Sequence, residues 1–170
     1  MATQSTSAPF IAIIPAAGIG SRMQAKQAKQ YLKIGAQTIL ERTLTIFCEH
    51  PEIHAVYVAL HPNDPSFDTL KIAAHPKIQR VAGGAERVNS VLHCLENIAA
   101  DDAVVLVHDA ARPCLQTPDV DRLLAYYREH ESPAILAKPA SDTIKVSQAQ
   151  QPRVASTLDR RTIWQAQTPQ

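Results

Sequence analysis

The sequence contains no apolar run approaching the ~20 residues that a membrane-crossing helix needs, so no spanning segment is expected. Residues 1–9 are small and polar, with neither the basic start nor the apolar stretch of a signal peptide; they read as a disordered lead-in, and cytoplasm is the expected compartment. An excess of one charge is also missing, since 17 Lys plus Arg face 16 Asp plus Glu. That balance gives no reason to expect a nucleic-acid partner. It leaves room for a small phosphorylated ligand, which needs only local charge. Cys48, Cys94 and Cys114 are widely spaced and form no CxxC pair, and the seven histidines form no HExxH-type cluster. Neither a redox dithiol nor a dedicated metal cage is therefore expected. GxxxxGK[ST] and GxSxG are absent as well, which excludes a Walker A loop and a serine-hydrolase elbow.

What is present fits one globular domain. The chain has 170 residues, 45% of them hydrophobic and 19% charged, enough apolar material for a core. Phe10 to Ile14 is a continuous apolar run of strand length, and His54 to Leu60, Ile78 to Val81, Ala103 to His108 and Ala134 to Ala137 read as further strands. Helical spacing marks Thr38 to Phe47, Val88 to Ile98 and Asp119 to His130. The alternation predicts an α/β fold: a Rossmann-like open, mostly parallel sheet with helices on both faces. Pro139 to Trp164 breaks the rhythm. Thr143 to Val146 and Arg153 to Thr157 can pair as a hairpin across the tip Gln148 to Pro152. A lone hairpin needs another surface to bury it, so the segment from about 139 to 157 is expected to project as an arm. The close at Thr168-Pro169-Gln170 suggests a fragment of a longer chain.

Ligands of open α/β sheets bind beyond the carboxyl ends of the strands. There the first strand meets Pro15-Ala16-Ala17-Gly18-Ile19-Gly20, followed by Arg22 and Lys29. Small residues let backbone N–H groups approach phosphate oxygens, and the two cations suit a triphosphate. The turn is an incomplete GxGxxG, with Met23 at the third glycine position, and the second strand ends Leu60-His61-Pro62 without the acid of a dinucleotide site. A nicotinamide-dependent oxidoreductase is thus the weaker alternative. Gly83-Gly84-Ala85-Glu86-Arg87-Val88-Asn89-Ser90 is a second strand-to-helix turn, whose N–H groups favour an anion or a base edge. In Val107-His108-Asp109-Ala110-Ala111-Arg112-Pro113, Asp109 stands where one carboxylate plus ligand phosphates can hold Mg²⁺, with Arg112 near a second phosphate. Taken singly, each turn reads equally well as an ordinary loop or helix cap. No paired-carboxylate motif is present, which suits a phosphate nucleophile already dianionic at neutral pH.

Together these segments resemble the 2-C-methyl-D-erythritol 4-phosphate cytidylyltransferase family. The resemblance is carried by Pro15 to Met23, Lys29-Gln30-Tyr31-Leu32, Gly83-Gly84 with Arg87 and Ser90-Val91, Val107 to Pro113, Asp142-Thr143, and Trp164 to Gln170. It departs at Ala28, where the family usually has proline, and at Ala85, where an acid is frequent. The resemblance implies transfer of CMP from CTP to methylerythritol phosphate in the non-mevalonate route to isoprenoid precursors. It implies that Arg22 and Lys29 stabilise the transition state, with Arg160 counted beside them as a catalytic residue. Pro15, Ala16, Ala17, Gly18, Gly20, Gly84, Ala85, Arg87, Ser90, Asp109 and Ala110 would line the CTP site, and Asp109 would also serve Mg²⁺. Asp109, Arg112, Thr143, Arg160 and Thr168 would hold the acceptor. A homodimer is implied, with the hairpin arm carrying Arg160 to the partner's site. Ribitol phosphate is the alternative acceptor.

Overall fold

The computed structural model describes residues 8–18, 28–148 and 151–170. In chain order the strands and helices are β1 (Phe10–Pro15), β2 (Lys33–Ile34), β3 (Gln37–Thr38), α1 (Ile39–Glu49), β4 (Ile53–Leu60), β5 (Ile78–Ala82) and α2 (Arg87–Glu96). They continue with β6 (Val104–Val107), α3 (Thr117–His130), β7 (Ala137–Pro139), β8 (Lys145–Ser147), β9 (Val154–Thr157) and β10 (Trp164–Ala166).

Four strands form a parallel sheet in the order β5-β4-β1-β6. The apolar residues of β1 are buried on both sides because helices cover both faces. Phe10, Ala12 and Ile14 pack with Leu40, Leu44 and Phe47 of α1 and with Val120 and Leu124 of α3. Ile13 points the other way, with Ala59, toward Cys94 of α2. Each large side chain fully buried in these layers contributes about 1.5–3 kcal/mol. The start of α1 is fixed by a reciprocal cap: Thr38 Oγ1 accepts the Glu41 N–H at 3.1 Å, and Glu41 accepts the Thr38 N–H at 2.8 Å. The expected α/β sheet with helices on both faces is the observed one.

The strand order locates the site. The chain runs outward from β1 to β4 and β5, then returns to the other side of β1 as β6. The carboxyl ends of β1 and β6 therefore flank a topological switch point, where loops leave in opposite directions and open a crevice.

Two sequence expectations shift. The strand read at residues 134–137 does not join the parallel sheet. Its place is taken by β7, which pairs antiparallel with β10. Leu136 instead bonds to Gln167 and Pro169, and Gln170 and Val107 exchange backbone bonds at 2.9 and 3.1 Å. The segment 167–170 thus lies along β6 and links it to the β7 region. The hairpin forms as β8–β9, two residues later in its first strand than the pattern suggested. The short β2–β3 hairpin, turning at Gly35 with φ 68°, was not anticipated.

Candidate active site

Three loops meet at the switch point. The first follows β1. Ala16 continues the strand by donating its N–H to the Ala59 carbonyl at 2.8 Å. Beyond it, the loop is held from behind by Gln30, a buried side chain whose amide nitrogen donates to the carbonyls of Ala16 (2.9 Å) and Gly18 (3.1 Å). Peptide C=O and the next N–H point in opposite directions, so turning the Ala16 carbonyl inward sends the Ala17 N–H outward. Gln30 lies in a one-turn 3-10 helix, Lys29–Tyr31. The Tyr31 hydroxyl anchors that turn by donating to Asp64 at 2.6 Å. Burial and the Asp64 carboxylate hold its phenol far above the usual range, so it stays protonated. Lys29 is exposed, immediately before these two anchors. Gly20 and Arg22 lie outside the described residues.

The second loop joins β5 to α2. Gly83 abuts the first loop: a Cβ there would stand 2.2 Å from the Ala17 Cβ, so only glycine permits the approach. Gly84 is similarly constrained by Asn89, at 2.3 Å. Ser90 is buried, accepts the Gly84 N–H at 3.1 Å and donates to the Glu86 carbonyl at 3.2 Å. Its hydroxyl thereby shapes the turn. Ala85 is exposed at its tip.

The third loop follows β6. Asp109 is gripped from two sides, Oδ1 by Arg87 at 3.0 Å and Oδ2 by Arg112 at 2.9 Å. Burial raises its pKa, but the two guanidiniums outweigh that and hold the carboxyl below its ordinary range. Arg112 also donates to Gln167 at 2.7 Å, and the Asp109 N–H donates to Thr168 Oγ1 at 3.3 Å. Ala110 is buried, and its carbonyl accepts from Thr43 of α1 at 3.1 Å, which ties the loop to the helical layer. His108 is fully buried beneath the loop, between the Arg112 carbonyl (3.1 Å) and Thr168 (3.0 Å). Burial pushes its imidazole pKa down and keeps the ring neutral.

The structure therefore brings Ala16, Ala17, Gly84, Ser90, Arg87, Asp109, Ala110, Arg112 and Thr168 into one contiguous edge. Among the described residues, Thr143 and Arg160 make no hydrogen bond or ion pair to it. Both are exposed, and Arg160 donates to the Ser141 carbonyl at 2.8 Å. Three contributors escaped sequence reasoning: Gln30, His108 and Gln167. All three lie inside quoted motifs, but an amide or imidazole has no spacing signature that reveals which partner it will meet.

A wider concavity of about 1100 Å³ lies on the other flank of the Lys29–Tyr31 turn, lined by Leu32, Thr38, Thr45, Leu70 and Lys71 among others. It contains none of the residues just grouped. It lacks the convergence of small-residue turns and paired charges that an anionic ligand needs, so the chemistry is placed at the switch point instead.

Small-residue turns, a helix N-terminus and an Arg–Asp–Arg cluster at the switch point define an α/β protein suited to an anionic, nucleotide-like ligand. Comparison with known proteins narrows this class. The family model for IspD, 2-C-methyl-D-erythritol 4-phosphate cytidylyltransferase, matches residues 10–170, and the chain belongs to that family. The protein of that name from Cronobacter sakazakii is 51% identical over 163 residues, covering 96% of this chain and 69% of the relative. That from Pseudomonas putida is 49% identical over 165 residues, covering 95% and 70%. A crystal structure of the Francisella tularensis 2-C-methyl-D-erythritol 4-phosphate cytidylyltransferase superposes with a TM-score of 0.73 at 37% identity, covering 95% of this chain and 71% of that one. Another, of a 4-diphosphocytidyl-2C-methyl-D-erythritol synthase, gives 0.78 at 34%, covering 97% and 75%.

Proposed function

We infer that this chain is a cytidylyltransferase that transfers CMP from CTP to 2-C-methyl-D-erythritol 4-phosphate and releases pyrophosphate, a step in isoprenoid precursor synthesis. The observation that carries the reading is the continuous edge from Ala17 and Gly83 through Arg87 and Asp109 to Thr168, in a chain of this family.

The reaction needs no general base. An oxygen of the acceptor phosphate forms a new bond to the α-phosphorus of CTP, and the bond from that phosphorus to the β-phosphate oxygen breaks. The phosphate monoester has its second pKa near about 6, so the nucleophile is already a dianion. What remains is alignment and charge neutralisation. Ala16, Ala17 and Gly18 line the triphosphate path with backbone N–H groups, while Gly84, Ala85 and Ser90 leave room for a pyrimidine. Lys29, together with Arg22, neutralises charge developing at the α-phosphate. Arg112 and Thr168 receive the acceptor beside Asp109.

A metal is part of this proposal. Among the described residues, no three His, Cys, Asp or Glu converge, so no all-protein cage exists. A single carboxylate fits Mg²⁺, which keeps waters and takes most of its remaining ligands from phosphates. Asp109 would hold it; the ion, when bound, neutralises phosphate charge. Each Asp109 oxygen meets one guanidinium and keeps a further lone pair with which it could accept the ion.

The homodimer is proposed on the arm. Every residue of β7, β8, β9 and β10 is exposed. The register puts Ile144, Val146 and Leu158 on one face, whereas Lys145 and Thr157 bond to each other on the opposite one; Val154, past a register shift, pairs with Ser147 and is exposed. An apolar face on a projecting ribbon suits a second copy of the chain, which would receive Thr143 and Arg160.

Pyrophosphate release from CTP is the direct test, with methylerythritol phosphate or ribitol phosphate as acceptor and with or without EDTA. Release with the first acceptor, abolished by EDTA and restored by excess Mg²⁺, is expected. Preference for ribitol phosphate would overturn the acceptor assignment, and EDTA-resistant turnover would overturn the metal.

A further inference from the structure

We propose that His108 is a positioning residue for the acceptor side of the site: its Nδ1 fixes the Thr168 hydroxyl and, through it, the main chain of Asp109. This rests on the reading of Thr168 as an acceptor contact.

The hydrogen positions follow from the partners. His108 Nε2 lies 3.1 Å from the Arg112 carbonyl oxygen, which can only accept, so Nε2 carries the hydrogen. The ring is fully buried, its bonded partners are a carbonyl and a hydroxyl, and among the described residues no carboxylate pairs with it, so Nδ1 is left bare toward Thr168 Oγ1 at 3.0 Å and the hydroxyl donates to it. With its proton committed, the same oxygen accepts the Asp109 N–H. The ring cannot turn away, because it is buried completely and packed against Phe47, centroids 5.3 Å apart. A histidine that merely filled the core would not need both nitrogens spent on residues of one functional edge. Both bonds of His108 end there, one on the loop of Asp109 and Arg112 and one on the strand-like segment that brings in Thr168.

The consequence is a polarity. Thr168 Oγ1 has only lone-pair density left to offer a ligand. It therefore suits a group that donates, a hydroxyl of the sugar alcohol, and not a phosphate oxygen, which requires a donor. The phosphate is left to guanidinium groups such as Arg112, whose planar fork can bind two oxygens.

Paired substitutions in the full chain separate this from simple packing. Asparagine carries an acceptor close to the Nδ1 position, and glutamine reaches the Nε2 position with a donor. His108→Asn should keep KM for methylerythritol phosphate within about threefold of the unmodified protein. His108→Gln should raise it on the order of tenfold, while KM for CTP moves far less in both. Thermal stability should rank the other way, because glutamine fills more of the space left by the ring. Acceptor KM that follows stability, or that is normal in both variants, would overturn the proposal. Thr168→Val is the control: if it leaves acceptor KM unchanged, the reading of Thr168 falls and the proposal with it. If it raises KM but the His108 pair shows no split, the proposal alone falls. A further measurement needs no histidine variant. A deoxy acceptor lacking the contacted hydroxyl should bind more weakly than the parent to the unmodified protein and equally to Thr168→Val. If affinity in Thr168→Val instead becomes insensitive to removal of the phosphate, the polarity is reversed.

Discussion

Gln30 donates its side-chain amide to the carbonyl of Ala16 at 2.9 Å, joining the turn after the first strand to a residue fourteen positions later. The same nitrogen reaches Gly18. Gln30→Met keeps the volume and removes the donor, leaving two carbonyls without their partner. The loss of stability should be about 1–3 kcal/mol, the range for stranding buried acceptors. KM for CTP should rise, because the loop is free to rotate its N–H groups away from the ligand, while acceptor KM holds. Urea unfolding and initial rates at varied CTP check both halves. An unchanged KM for CTP would show that the loop keeps its shape without the amide.

Lys29 stands exposed immediately before two buried anchors, Gln30 and Tyr31, which hold its backbone in the one-turn helix. Lys29→Ala should lower kcat by about 10²–10³-fold, on the order of 3 kcal/mol in the barrier, as expected for losing one preorganised charge donor. KM for methylerythritol phosphate should move far less. Arg22→Ala should behave alike. Steady-state kinetics decide, and near-normal turnover in Lys29→Ala would remove it from the chemistry.

Arg160 donates to the Ser141 carbonyl and, among the described residues, bonds nothing at the Asp109 edge, which leaves it available for the proposed role in the site of a second copy. Arg160→Ala should weaken use of methylerythritol phosphate and leave CTP binding intact. Mixing Arg160→Ala with Lys29→Ala chains tests the geometry. If Arg160 acts in trans, a mixed dimer has one site with both defects and one with neither, and activity recovers toward half. No recovery despite demonstrated subunit exchange would place Arg160 in its own chain's site.

Cys48 and Cys94 are buried, and burial pushes both thiols up to about 11. At about pH 8 they are protonated as well as shielded, so iodoacetamide should label the native chain at Cys114 alone. Mass spectrometry should find all three labelled only after denaturation. Rapid native labelling of Cys94 would mean that α2 separates readily from the sheet.

Most of the sheet was legible because its strands are short apolar runs that periodicity and turn residues mark clearly, as at Phe10–Pro15 and Ile53–Leu60. The helices were legible from their 3.6-residue spacing, and their ends moved by only a few residues. The segment 167–170 was not, because its backbone pairs with Val107 and Leu136, and such pairing leaves no pattern in side-chain type. The site divided in the same way. Arg87, Asp109 and Arg112 announce themselves as charges at strand-to-helix turns. Their mutual grip does not, since it depends on two loops folding side by side. His108 and Gln30 stayed silent because a single buried polar residue takes its meaning from whichever backbone atoms surround it.

The link between Asp109 and Thr168 spans 59 residues, so the edge closes a long loop whose entropy must be met before the contact returns anything. The core under that edge also draws on Val120 and Leu124, which follow Asp109 in the chain. As one domain it folds as a unit, and on the proposed reading the seats for the two substrates form together rather than in turn.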